Sequence, residues 1–236
     1  MGDYSNMASY YDVIMTSGYY DYAKIVDNLV LQDQVEKVLE IGCGTGLILE
    51  ELARRKSSIQ ISGIDFTGPM LDIAKKRLKP FENVDLSQQN VCDLTLSNAY
   101  DLTFSYGGVW YFVIDGDKEP FLVSHIPEHD ANLLGFAKMA QHIAPQGTLL
   151  LGIQGPHHDY ETVISNGMKY SQKIDPTEIG FTKHYYLSDG PQTLMAQTVR
   201  YRTYNFDQAK EMLSAHGLRY VPETHDKKLF LRFYRN

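Results

Sequence analysis

Residues 37–48 read KVLEIGCGTGLI. Lys37 to Ile41 is a short run with β-branched residues that breaks at Gly42, and Leu47 to Arg55 follows with Leu47, Ile48, Leu52 and Ala53 at helical spacing. The stretch is therefore strand, glycine turn, helix. Glycines at such a junction allow a tight turn and close approach of the backbone to a ligand, beside the unpaired N–H groups of a helix N-terminus. A phosphate-cradling loop would end in Gly-Lys-Ser/Thr, whereas Gly46 is followed by Leu47 and Ile48. A dinucleotide fingerprint would place Gly or Ala at position 47, which is Leu. What remains is Gly42-x-Gly44-x-Gly46 with an acidic residue, Glu40, just ahead.

The alternation continues outward from that turn. Ile59 to Ile64 reads as a strand, Met70 to Leu78 as a helix, Val84 to Gln88 and Tyr100 to Ser105 as strands, and Asn132 to Ile143 as a helix. Pro145-Gln146-Gly147 then turns the chain into a strand from Thr148 to Ile153. Such alternation predicts a mostly parallel sheet with helices on both faces, an α/β Rossmann-like doubly wound fold. Upstream, Tyr22, Ile25, Val26, Leu29 and Val30 mark an amphipathic helix from Tyr19 to Leu31, closed by the polar stretch Gln32 to Glu36. Downstream, Lys169 to Ile174, Phe181 to Leu187 and Thr193 to Tyr204 are rich in β-branched and aromatic residues between Asp-Pro and Asp-Gly-Pro turns, which predicts an antiparallel β insertion. A helix from Phe206 to His216 and strands Leu218 to Pro222 and Lys228 to Tyr234 complete a seven-stranded sheet. The expected units are an N-terminal helical cap over 1–31, a core over 32–158, the β insertion over 159–205 and a closing segment over 206–236. Gly116 to Asp130 reads as a long structureless loop that borders a pocket.

Val38 to Gly46 resembles the first motif of class I S-adenosylmethionine-dependent methyltransferases. Asp65, at the end of the second strand, is similar to that family's acceptor for the ribose hydroxyls, and Asn90-Val91 matches its adenine-contact segment. The resemblance implies that Gly42, Gly44 and Gly46 approach the methionine part of the cofactor, with Glu40 beside them, and that Phe66 and Met70 flank the adenine. It covers roughly Asp21 to Ile153 and the terminal strands. Tyr10-Tyr11-Asp12, the short cap and the insertion are similar in layout to small-molecule N-methyltransferases of the glycine and amino-sugar type.

Composition narrows the acceptor. The 236-residue chain carries a net charge of -7, which disfavours a phosphate-tracking surface, and no run of 18 apolar residues occurs that would span a membrane. The fourth strand ends in Ser105-Tyr106-Gly107-Gly108, not in the Asp/Asn-Pro-Pro-aromatic of nucleobase methyltransferases or the carboxylates of metal-dependent catechol enzymes. The expected partners are a small-molecule substrate, neither nucleic acid nor membrane, and for assembly a homodimer. Two cysteines without metal or disulfide spacing, and an acidic, aromatic N-terminus, predict a cytoplasmic protein.

The chain has 17 tyrosines, and tyrosine joins an apolar ring to a hydroxyl that can orient a polar ligand or face a cation. Tyr11 and Tyr20 are the expected covers over the cofactor. Ligands in open α/β sheets sit beyond the strands' carboxyl ends, which nominates Tyr106 and Trp110 as a substrate frame and His157 or His158 as a base. His184, beside Tyr185 and Tyr186, is expected to point inward from the insertion, with Tyr186 in the catalytic set, and His142 to sit on a solvated helix face. A metal at His157-His158-Asp159 is not expected, because no third ligand stands at suitable spacing. The leading expectation is methylation of an amine or amino-acid-like molecule. Two others fit the same residues: intramolecular cyclisation of S-adenosylmethionine to azetidine-2-carboxylate with release of methylthioadenosine, and a non-catalytic cofactor-binding module.

Overall fold

The computed structural model describes residues 4–29, 34–222 and 229–236. In chain order the elements are α1 (Ala8–Met15), α2 (Tyr22–Asn28), β1 (Lys37–Ile41), α3 (Leu47–Arg55), β2 (Gln60–Asp65), α4 (Gly68–Leu78), β3 (Val84–Gln88) and β4 (Tyr100–Ser105). Then come β5 (Trp110–Val113), β6 (Phe121–Ser124), α5 (His129–Gln141), β7 (Ile143–Gln154), β8 (Tyr160–Val163), β9 (Lys169–Thr177) and β10 (Gly180–Asp189). β11 (Gln192–Asn205), α6 (Phe206–Ser214), β12 (Leu218–Val221) and β13 (Phe230–Arg235) finish the chain.

The core sheet runs β3-β2-β1-β4-β7-β13-β12, with the first five strands parallel and β13 antiparallel to both of its neighbours. Its central strands are buried on both faces and alternate between two apolar layers. Leu39, Ile41 and Leu149 join the layer under α5 and α6, whereas Val38, Phe104 and Leu150 join the layer under α2, α3 and α4. Local chemistry sets several ends. Asp21 caps α2 by accepting the Lys24 N–H at 3.0 Å, and Asn205 with Gln208 forms a reciprocal capping box on α6. Strand order reverses between β1 and β4, so the chain leaves these two strands in opposite directions and a crevice opens at their carboxyl ends. Among the described residues no helix is long and apolar enough to cross a membrane.

A second sheet, β5-β6-β11-β10-β9-β8, continues from the end of β7 and packs its inner face against α1 through Met7, Ile14, Tyr111, Leu187 and Met195. It uses two separate segments of the chain. The expected insertion supplies β8 to β11, but β5 and β6 come from before α5. The expected loop from Gly116 to Asp130 therefore contains β6 and the start of α5, because Phe121–Ser124 pairs with both β5 and β11. The N-terminal helix begins at Tyr22 and not at Tyr19, since the Asp21 cap fixes its start, while the separate helix α1 precedes it. Pro145-Gln146-Gly147 is a distortion within one long strand, where the β4–β7 register shifts and Gln146 takes a positive φ of 64°. Val30, Leu31, Gln32, Asp33 and Lys228, placed above in a helix, a polar stretch and a strand, lie outside the described residues.

Candidate active site

The glycine turn is pinned where β1 ends: the N–H groups of Gly42 and Cys43 both donate to the Ile64 carbonyl, at 2.8 and 2.9 Å. At Gly42, with φ 78°, a Cβ would stand 3.0 Å from the Gly108 Cα, so two backbones meet here and only glycine fits. Gly44 opens onto a cavity: a Cβ there would meet nothing closer than a Tyr11 ring carbon at 4.0 Å. Gly46 has another duty. It precedes α3 in the left-handed region, and a Cβ there would come within 2.8 Å of Leu78 Cδ1, so it lets α3 and α4 close together and does not line the cavity.

Asp65 ends β2 and faces the same space. Its Oδ2 accepts the Gly44 N–H and its Oδ1 the Thr67 N–H, each at 2.8 Å, which ties the turn to the second strand. Burial raises its pKa, and those backbone N–H bonds oppose the rise. Glu40 is 2% exposed and its Oε2 has no partner among the described residues. Burial, then the nearby Asp65, push its pKa well up. Phe66, Met70, Gln89 and Val91 form an apolar-edged wall on the other side. Asn90 does not reach it: its side chain accepts the Cys92 N–H and starts the short 3-10 turn Val91–Asp93 that presents Val91.

A roof covers this end. Tyr11 comes from α1, and Tyr19 and Tyr20 from the link to α2. α1 is fastened beside the turn by Asp12, which accepts from Thr45 Oγ1 at 2.6 Å and pairs with Arg77; Arg77 also binds Glu50 at 2.8 Å and the Thr45 carbonyl at 2.9 Å. The Tyr20 hydroxyl accepts from Gln154 Nε2 at 2.8 Å and its ring meets Tyr19 and Tyr106 edge-on. Tyr11 and Tyr20 are neutral phenols near pH 7, and burial raises their pKa well above the ordinary value.

The cavity has ≈ 930 Å³ of empty volume, including its solvent-open part, and runs from Gly44 and Asp65 past the roof to Tyr4, Tyr111, His125, Tyr170, Lys183, Tyr185 and Tyr201. Tyr4, Tyr201 and Tyr185 are joined in series by hydroxyl hydrogen bonds of 2.8 Å. Burial pushes the pKa of His125 down to about 3 and that of Lys183 down to about 7.

Several residues singled out from the sequence stand elsewhere. Tyr186 and His184 lie on the outer face of β10, where Tyr186 is 36% exposed and His184 pairs with Asp175 at 3.0 Å. Side chains alternate along a strand, so Lys183 and Tyr185 take the inward positions; reading the parity one residue off exchanges the two sets. Trp110 is fully buried, stacked on Phe136 and donating to Asn132 at 2.8 Å, while the next residue, Tyr111, lines the cavity. Tyr106 lies behind Tyr20 and borders a smaller cleft of ≈ 330 Å³ with Glu40, Tyr22 and Thr45. His157 is also behind the wall, between Tyr111 and Phe181; its Nε2 is 3.3 Å from Gln154 Oε1, so it reaches Tyr20 only through Gln154. Burial lowers its pKa to about 3. His142, placed above on a solvated face, is part-buried against the Leu94 and Asn98 carbonyls. His158 and Asp159 anchor β9 through the His158 carbonyl and the Asp159 carboxylate, and no group of three or more metal-ligating side chains converges among the described residues. His125, Lys183, Tyr111 and Tyr201 had no motif to mark them; alternation from the correct register was the one available signal.

Residues 38–147 match the family model described as Methyltransferase domain. This segment is a methyltransferase domain. The chain is 41% identical over 61 residues to demethylmenaquinone methyltransferase of Thermotoga maritima, covering 26% of this chain and 27% of that protein. It is 29% identical over 119 residues to malonyl-[acyl-carrier protein] O-methyltransferase of Bacillus cytotoxicus, covering 50% of this chain and 35% of that protein. The chain thus spans about a third of the length of these curated relatives. Beyond the domain, the whole fold is similar to the S-adenosylmethionine-bound structure of CalS10, an amino pentose methyltransferase from Micromonospora echinaspora, with a TM-score of 0.67, 17% identity and 96% of each chain covered. At that identity the likeness is one of fold.

The methyltransferase domain's residues fit S-adenosylmethionine. The unpartnered Glu40 oxygen suits an ammonium, the Gly42–Gly44 backbone leaves room for a close-lying chain, Asp65 keeps lone pairs for hydroxyls, and Phe66, Met70 and Val91 offer apolar surface to a flat base. The neutral phenols of the roof suit a sulfonium.

Proposed function

We propose that this protein transfers a methyl group from S-adenosylmethionine to a small-molecule acceptor, an amine or amino-acid-like compound. The observation that carries the reading is the single cavity that joins Asp65 and Gly44 to the tyrosine-lined end beneath Tyr11 and Tyr20. S-adenosylmethionine supplies an electrophilic methyl carbon on a cationic sulfonium. The protein's task is then in-line placement of a nucleophile at that carbon, which is chiefly a matter of proximity and orientation. Gly42, Gly44 and Asp65 set the position of one reactant; Tyr111, Tyr185 and Tyr201 provide neutral hydroxyls that orient the other; α1, latched by Asp12, excludes water from between them. The tyrosine end extends beyond the roof, which favours a second molecule in the site.

The test is mass spectrometry of the full chain with S-adenosylmethionine and a panel of amines and amino acids, alongside calorimetric titration of S-adenosylhomocysteine. The expected result is micromolar binding of S-adenosylhomocysteine and acceptor-dependent formation of it from S-adenosylmethionine. Methylthioadenosine formed from S-adenosylmethionine alone, above the protein-free rate, would overturn the reading, as would no binding of either compound.

A further inference from the structure

Among the described residues, Lys183 is a buried cation without a counter-ion. Its side chain projects from the middle of β10 into the tyrosine end of the cavity, and the residue is 2% exposed. Among the described residues its ammonium makes no hydrogen bond or ion pair; it lies over the rings of Phe181 and Tyr201, 5.7 and 5.6 Å from their centroids. Cation–π contact of this kind favours the charged form, but it leaves the three N–H donors unused. Asp65 is the one acidic residue on the described cavity wall, and it stands at the opposite end with both oxygens engaged by backbone N–H groups. Among the described residues, the other titratable groups around Lys183 are the imidazoles of His125 and His157 and the phenols of Tyr4, Tyr111, Tyr170, Tyr185 and Tyr201, none of which is an anion near neutral pH.

A buried ammonium without a partner is costly, and its burial alone moves its pKa toward neutrality. A ligand anion placed there would regain that cost, accept one or more of the N–H donors, and take further hydrogen bonds from the linked hydroxyls of Tyr4, Tyr201 and Tyr185. A purely cationic acceptor would meet repulsion in the same place. We infer that the acceptor carries a carboxylate, and that Lys183 receives it at the tyrosine end of the cavity. This rests on the cofactor placement proposed above and selects the amino-acid-like acceptors over simple amines. The competing source of a carboxylate is the methionine moiety of the cofactor itself.

The experiment titrates the full chain, with and without saturating S-adenosylhomocysteine, with matched acid and amide pairs: glycine and glycinamide, propionate and propionamide, benzoate and benzamide. In the wild type, the acid of at least one pair is expected to bind ten-fold or more tightly than its amide. Lys183→Met should reduce that ratio to below two-fold while leaving the S-adenosylhomocysteine affinity within two-fold, and Lys183→Arg should preserve the preference. No acid preference in the wild type, or an undiminished one in Lys183→Met, overturns the inference. So does a ten-fold loss of S-adenosylhomocysteine affinity in Lys183→Met, which would assign the lysine to the cofactor's carboxylate. Failure of the wild type to bind S-adenosylhomocysteine removes the cofactor reading instead, and the acid preference of the protein alone still decides the role of Lys183.

Discussion

At the glycine end of the cavity the ligand-facing groups come from residues 42–70, 89–91 and 107–109, and much of that surface is backbone: the Gly42 and Cys43 N–H groups are held by the Ile64 carbonyl, and the Gly44 N–H by the Asp65 carboxylate. At the tyrosine end they are side chains from β5, β9, β10 and β11, from the residue after β6, and from the N-terminal segment, tied together by hydroxyls. One end is assembled largely from short runs of neighbours in sequence, the other by strand pairing and by side-chain hydrogen bonds between residues as far apart as Tyr4 and Tyr201. The contrast suits a site in which one reactant is common to many enzymes and the other is particular to this one, because side chains on a sheet face can change without disturbing the ladder beneath them.

The most damaging way to break the comparison is at the backbone. Gly42→Val places a branched side chain at φ 78° against the Gly108 backbone, and it should abolish measurable S-adenosylhomocysteine binding and lower the melting temperature. Retained binding would mean that the turn has no part in holding the ligand. Asp65→Ala should weaken S-adenosylhomocysteine by about 1.5–3 kcal/mol in calorimetry, the scale of hydrogen bonds to a charged group. Unchanged affinity would leave Asp65 as a brace for the turn alone.

Acid stability sharpens the other end. His125 and His157 are held neutral by burial, with pKa pushed down to about 3. Between the ordinary imidazole range and that value the unfolded chain binds more protons than the folded one, so their stabilisation is intact above about pH 6.5 and is lost as pH falls toward 3. Denaturant melts at pH 7 and pH 5 should differ by on the order of 2 kcal/mol for each of these histidines, and His157→Phe should remove its share of the difference. An equal loss in the variant would mean that His157 already titrates normally. The smallest effect tests the parity of β10: Tyr185→Phe should cost about 1 kcal/mol by removing one of the two hydrogen bonds to the buried Tyr201 hydroxyl, whereas Tyr186→Phe should stay within about 0.5 kcal/mol. Equal costs would place both side chains differently from the arrangement described.

The order in which the two ends could be read from the residues follows the same divide. The parallel core, the glycine turn and Asp65 were legible because each signal lies within a few residues of its consequence: a β-branched run, a glycine where φ is positive, an acid at a strand end. The insertion strands were legible too, as runs between turn signals. Their inward faces were not. Lys183 and Tyr185 against His184 and Tyr186 is a choice of parity, and nothing within HYY or its neighbours states which side will meet α1. Trp110 and Tyr111 posed the same choice. β5 and β6 went unseen because each is only four residues long and, beyond pairing with the other, is held by a strand from later in the chain, β7 for β5 and β11 for β6.

By itself, then, the order of residues determined the alternation of strand and helix, the site of the ligand turn and the surplus of tyrosine. Tertiary structure alone decided which tyrosines meet, that His157 stands behind the wall while His125 stands on it, and that Lys183 is buried with no counter-charge among the described residues. The physical reason is range. Backbone conformation answers to steric limits and capping within a turn or two, whereas burial, charge balance and cavity shape are sums over groups brought together by folding, and no short segment carries them.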